Sequence, residues 1–155
     1  TYDRVRVHAD GFVTFPSDDL TEVPANYCSP SPDRPEHAIL GWMADLNPGG
    51  GNAQVSGFPS GTSQYVVEFL DVPTASGVTP AYEVSFQIIL DEDGDVRLSY
   101  LDVPDDYEQP PEAVVGIETK QSRFRNMVFC ADGVTTLGIT PQPRQTLQFT
   151  PGDIY

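Results

Sequence analysis

The chain has 155 residues, 39% of them hydrophobic, and its 8 basic against 23 acidic residues give a net charge of −15. That length carries one domain with a real core and is too short for two ordinary ones. The charge repels phosphate backbones and anionic bilayers, which argues against nucleic-acid partners, and no apolar run approaches the roughly 18 residues a membrane-crossing helix needs.

The first element is a hairpin. In "VRVHADGFVTF" a three-residue loop, Ala9-Asp10-Gly11, pairs Val7 with Val13 and Val5 with Phe15. Such loops use a type I turn followed by a left-handed residue, and Gly11 is placed to supply it. A long Pro/Ser-rich loop follows, from Ser17 to His37. It holds Asp18, Asp19, Tyr27 and Cys28. Strands are then expected at 38–46 ("AILGWMADL"), 53–58 ("AQVSGF") and 64–70 ("QYVVEFL"), with "NPGGGN" as a flexible inter-strand loop. Trp42 lies in a strand and is expected in the core.

The stretch "YEVSFQIILDEDGDVRLSY" resolves a choice between a calcium loop and a turn. Tyr82, Val84, Phe86, Ile88 and Leu90 alternate on one face of a strand. A two-residue turn at Asp93-Gly94 would set Leu90 against Arg97. A three-residue loop, Glu92-Asp93-Gly94, instead sets Leu90 against Val96, Ile88 against Leu98 and Phe86 against Tyr100, so apolar meets apolar. An EF-hand needs flanking helices and a glycine where this chain has Val96. The turn is the expected reading, with calcium at the turn carboxylates left open.

Downstream, "PDDYEQPPE" forms a loop carrying Asp105, Asp106, Tyr107 and Glu108. Strands are expected at 113–119 and 145–150, and a third hairpin at Ala131-Asp132-Gly133 sets Met127 opposite Leu137. With 13 glycines and 15 prolines punctuating the chain, the expected fold is all-β. It is an antiparallel β-sandwich of about ten short strands with x-Asp-Gly turns, in one domain over residues 1–155. The lack of an initiator methionine or signal peptide suggests a piece of a larger secreted or surface protein.

Chemistry is sparse. Two cysteines, Cys28 and Cys130, in an otherwise cysteine-free β chain fit a disulfide formed in an oxidising compartment, against the alternative of two buried thiols. His8 and His37 are isolated and read as surface residues. Ser60 in "GFPSG" is not a nucleophile elbow. No catalytic residues are therefore assigned. Loop aromatics Tyr27, Tyr107 and Phe124 are the candidate ligand contacts. The acidic loop clusters Asp18, Asp19, Asp105 and Asp106 are the candidate calcium ligands, with solvated loop charge as the bland alternative. Gly11, Gly94 and Gly133 are the structural turn residues.

As an ordered set, "VRVHADGFVTF", "AILGWMADLNPGGG", "YVVEFLDVP", "YEVSFQIILDEDGDVRLSYLDV" and "AVVGIET" resemble the nidogen-like β-sandwich family. That family supplies extracellular modules and accessory domains of secreted bacterial proteins, including subtilisin-like peptidases. The resemblance covers roughly residues 2 to 119. It departs at Gly41-Trp42-Met43-Ala44-Asp45-Leu46, where the tryptophan stands one place early and one acid is lost. The resemblance implies a non-catalytic extracellular binding or assembly module, secreted or at the cell surface. Its partners would be a protein or glycan ligand and other domains of its parent chain, for which the resemblance offers a secreted peptidase as one example. A lectin-like sandwich is the alternative, and a free-standing secreted hydrolase the third reading. No cofactor is implied, calcium apart.

Overall fold

The structure, a computed structural model, describes residues 4–15, 37–78, 81–104, 112–119, 123–131 and 136–150. Alternating apolar residues broken by turn-formers fold here as eleven strands, with no helix among the described residues. In chain order they are β1 (Arg6–His8), β2 (Phe12–Thr14), β3 (Ala38–Met43), β4 (Gln54–Ser60), β5 (Gln64–Pro73), β6 (Glu83–Asp91), β7 (Val96–Asp102), β8 (Ala113–Thr119), β9 (Arg123–Ala131), β10 (Thr136–Gly138) and β11 (Thr146–Phe149). They form a six-stranded sheet, in order β1-β2-β3-β8-β9-β10, and a five-stranded sheet, in order β11-β7-β6-β5-β4. All pairings are antiparallel.

Two hairpins take the registers their apolar faces demand. Val7 faces Val13 across β1–β2, and Leu90, Ile88 and Phe86 face Val96, Leu98 and Tyr100 across β6–β7. Gly11 (φ 80°) and Gly94 (φ 96°) close the two loops in the left-handed region. The third hairpin differs. Thr136 pairs with Ala131 and Leu137 with Cys130, so four residues, 132–135, lie between the paired ends instead of three. Leu137 is exposed while Cys130 is fully buried, so no apolar match of the kind that fixes the other two registers acts here. Gly133 lies outside the described residues.

The core lies between the sheets. Val13, Ile39, Trp42, Val115, Ile117 and Phe129 of one sheet meet Val67, Phe69, Phe86, Ile88, Leu98 and Tyr100 of the other. At the crossing point of β3 and β6 a side chain on Gly41 would overlap the Phe86 ring. Its absence lets Tyr100 donate its hydroxyl to the Gly41 carbonyl at 2.7 Å. Beside it, β3 shifts register between Leu40 and Met43. There the amides of Gly41 and Trp42 both donate to the Gly11 carbonyl, at 3.2 and 3.1 Å. Two residues opposing one is a β-bulge, and it leaves Trp42 fully buried in the core.

The two sheets differ on their outer faces. On the six-stranded sheet a second apolar layer of Phe12, Ala38, Leu40, Met43, Val114 and Cys130 is also buried. This accounts for the unbroken apolar run of β3, since a strand buried on both faces does not alternate. The outer face of the five-stranded sheet, buried at Val66 and Ser85, is otherwise mostly half-buried to exposed and largely polar, and its strands alternate accordingly.

Candidate functional site

Most residues singled out from the sequence as ligand contacts fall outside the described residues: Asp18, Asp19, Tyr27, Cys28, Asp105, Asp106 and Tyr107. Phe124 is described in its backbone, and it lies not in a loop but within β9, paired with Glu118. The hairpin reading began this strand at Met127 and missed its start, because the polar and charged residues around Phe124, from Gln121 to Asn126, hide it. Cys130 is buried on the outer face of the six-stranded sheet and is disulfide-bonded.

The aspartates of the 91–95 loop are bound into the turn. Asp91 takes two bonds from the Arg97 guanidinium, at 3.1 and 2.9 Å. The Asp93 carboxylate accepts the Asp95 amide at 3.1 Å, and the Asp95 carboxylate accepts the Gln148 side-chain amide at 2.7 Å. Beside them lies an open depression of about 320 Å³ lined by Ser63, Asp91, Glu92 and Asp93.

His8 is less exposed than a surface histidine. Its ring stacks on Phe12 with centroids 4.2 Å apart, and its Nε2 lies 2.9 Å from the Thr14 hydroxyl. Burial, helped by the Arg6 charge, pushes its pKa below the ordinary value. Thr14 is itself buried within β2, so the hydroxyl His8 reaches is not presented to a substrate. The reciprocal pair of Ser85 and Asp71 serves the backbone. Ser85 Oγ accepts the Asp71 amide at 2.9 Å and donates to the Asp71 carboxylate at 3.0 Å. It holds Asp71 at φ 51° where β5 shifts register against β6.

The most accessible constellation is the β4 side of the five-stranded sheet. Among the described residues β4 pairs with β5 alone, and Gln54 through Pro59 are all exposed. Its hydrogen-bonding phase follows from the neighbouring hairpin. The Asp91 amide bonds to the Asp95 carbonyl at 2.9 Å, and the Glu92 amide to the Ser63 carbonyl at 2.8 Å. Antiparallel ladders alternate, so Leu90 bonds toward Tyr65, and Tyr65 in turn bonds toward β6 rather than β4. Pro59, opposite Tyr65, therefore directs its nitrogen and carbonyl to the open edge, where a missing N–H costs the sheet nothing. By the same alternation Val55 and Gly57 turn their N–H and C=O groups outward.

Side chains follow the same phase. Phe58, Val66, Ile89, Arg97 and Gln148 form one row across the outer face. Ser56, Glu68, Gln87, Ser99 and Thr146 form the next. Gln87 donates to Glu68 at 2.6 Å, and Ser99 and Thr146 share a bond of 3.1 Å. Val55 and Phe58, on opposite faces of β4, are 37% and 39% exposed, so both faces of the edge offer apolar surface. The sequence carries a signal for this site that went unused. "QVSGFPS" holds no charge in a chain that is 20% charged, and a proline inside a strand marks an edge.

Two antiparallel sheets packed face to face over a shared core define this protein as a β-sandwich. The NIDO-related family model matches residues 1–151, and the chain belongs to that family. Comparison with curated proteins and with solved structures returns no match.

Proposed function

We propose that the protein is a non-catalytic extracellular module that binds or assembles with other proteins, as part of a larger secreted or surface protein. One observation carries this reading. A seven-residue edge strand, free of charge and exposed on both faces, offers backbone groups that are unpaired among the described residues, flanked by Val55 and Phe58. Exposed apolar side chains beside free main-chain groups suit a polypeptide partner. A sugar site is expected to stack rings on paired aromatics. Among the described residues the outer face of this sheet presents Phe58 without a second aromatic, since Tyr65 lies on the opposite face. Family membership supports the extracellular setting, and so does the disulfide-bonded Cys130, for which Cys28 is the proposed partner. The glycan-binding reading and a secreted hydrolase are weaker on these grounds.

The test is a binding and turnover panel on the purified 155-residue protein. Material from the surface of the producing cells should bind saturably, and free monosaccharides should not compete. Chromogenic ester, glycoside and peptide substrates should stay intact. Competition by a simple sugar transfers the site to the lectin reading, and turnover above the uncatalysed rate overturns the non-catalytic one.

A further inference from the structure

We propose that the open edge of β4 accepts an extended, net-basic strand of a partner protein, which extends the five-stranded sheet by one. This rests on the binding-module reading above and names the site and the chemistry of its partner. The edge presents the N–H groups of Val55 and Gly57 and the C=O groups of Val55, Gly57 and Pro59. A strand of five residues or more can meet all of them in ladder geometry. Its alternate side chains would fall into two environments. On one face they lie beside Val55, Gly57 and Pro59, next to Tyr65, which is 36% exposed. On the other they extend the rows that begin at Phe58 and Ser56.

Charge decides between occupants. β4 itself carries none, so nothing on the strand repels a partner of either sign. One strand behind it stands Glu68, opposite the short side chain of Ser56, and a lysine or arginine beside Ser56 can reach across to that carboxylate. Beyond the β4–β5 hairpin lies the depression lined by Asp91, Glu92 and Asp93. The chain as a whole carries −15. A second copy brings the same −15 and is repelled, whereas a basic strand is drawn in.

The probe is a synthetic eight-residue peptide alternating valine and lysine, with a valine–glutamate peptide as its counterpart. Val55→Pro removes an outward donor and keeps the bonds to β5. Val55→Thr keeps the donor and serves as its control. The valine–lysine peptide should shift the Val55 and Gly57 amide resonances and slow their hydrogen exchange. Val55→Pro should weaken binding by about tenfold, the equivalent of one ladder bond and its flanking order, with Val55→Thr near wild type. The valine–glutamate peptide should not bind.

Equal binding by wild type and Val55→Pro would make the attraction one of charge alone and overturn strand addition. Failure of the valine–lysine peptide to bind wild type would overturn it too. Slow exchange at Val55 and Gly57 in the free protein, together with sedimentation as a dimer, would assign the edge to a second copy. Should Val55→Pro fail to fold, the exchange measurement on wild type decides by itself. In each case the binding-module reading stands or falls separately, on the competition and turnover panel.

Discussion

The sharpest test of the fold is Gly11→Ala. Gly11 has φ 80°, and a Cβ there would overlap the carbonyl oxygen of Trp42. Two penalties follow. Left-handed backbone costs an alanine roughly 1–2 kcal/mol. Relieving the overlap must move the hairpin tip away from β3, which strains three bonds: Gly41 and Trp42 amides to the Gly11 carbonyl, at 3.2 and 3.1 Å, and the Ala44 amide to the Asp10 carbonyl at 3.2 Å. At about 1 kcal/mol each the total approaches 4–5 kcal/mol. For a domain of this size that is a fall in Tm on the order of 10 °C. Gly61→Ala isolates the first penalty, because Gly61 has φ 67° and nothing within 4 Å of the added Cβ. It should cost only about 1–2 kcal/mol. Urea unfolding of both variants, disulfide intact, gives the difference from the midpoints if the slopes agree. Equal losses would refute the claim that the tip of the first hairpin is clamped against the β3 bulge.

Other outcomes follow from single contacts. Tyr100→Phe removes the 2.7 Å bond to the Gly41 carbonyl with almost no change in volume, so it should cost about 1–3 kcal/mol in the same urea assay, and a neutral result would mean that carbonyl finds water. Burial pushes the Tyr82 phenol up to about 12, against the hydrogen bond from Trp42 and with some help from Glu112. The unfolded chain therefore loses that proton first. Stability should be intact below about pH 10 and fall on the way to pH 12 by on the order of 1 kcal/mol per unit, and Tyr82→Phe should flatten the decline. Thiol titration of the denatured, unreduced protein should find no reactive cysteine. Reduction should lower stability by up to the 4–5 kcal/mol the chain-entropy model gives for a loop near 100 residues, and two titratable thiols would remove the Cys28–Cys130 pairing.

Much of the sandwich was legible in the sequence, and the reason lies in its hairpins. Where both strands carry a clean apolar face, as in Phe86-Ile88-Leu90 against Val96-Leu98-Tyr100, one register satisfies burial and the others do not. The same logic failed at β9–β10 because Leu137 stays exposed, so hydrophobic matching does not fix its pairing. It gave no warning of β11's place beside β7, where Thr146 to Phe149 pair with Ser99 to Val96 across a long sequence separation. Nor did it show that Phe12, Leu40, Val114 and Cys130 form a second buried layer, since a continuous apolar run reads alike for any strand covered twice. The candidate site was the least visible. Loop aromatics and acids drew attention because they carry chemistry, whereas the β4 edge offers backbone groups, which every sequence has. Only the alternation of bonds fixed by neighbouring strands says which of those groups point outward.

That edge also explains what the acidity does. An exposed, uncharged edge strand invites pairing with a second copy, and proteins commonly prevent it by placing charge on the strand. Here the strand has no charge, and Pro59 silences one donor while leaving those of Val55 and Gly57. The remaining protection comes from the whole molecule, since two chains of −15 resist approach. Protection of this kind is selective in a way that a lysine on the strand is not. A strand-borne charge would tax every partner that pairs there, through the desolvation of its head group. A field set by distant carboxylates opposes acidic partners, its own copies included, and favours basic ones. The same −15 that argued against nucleic acid therefore serves the edge in two ways, as the guard against self-assembly and as the filter on what may replace it.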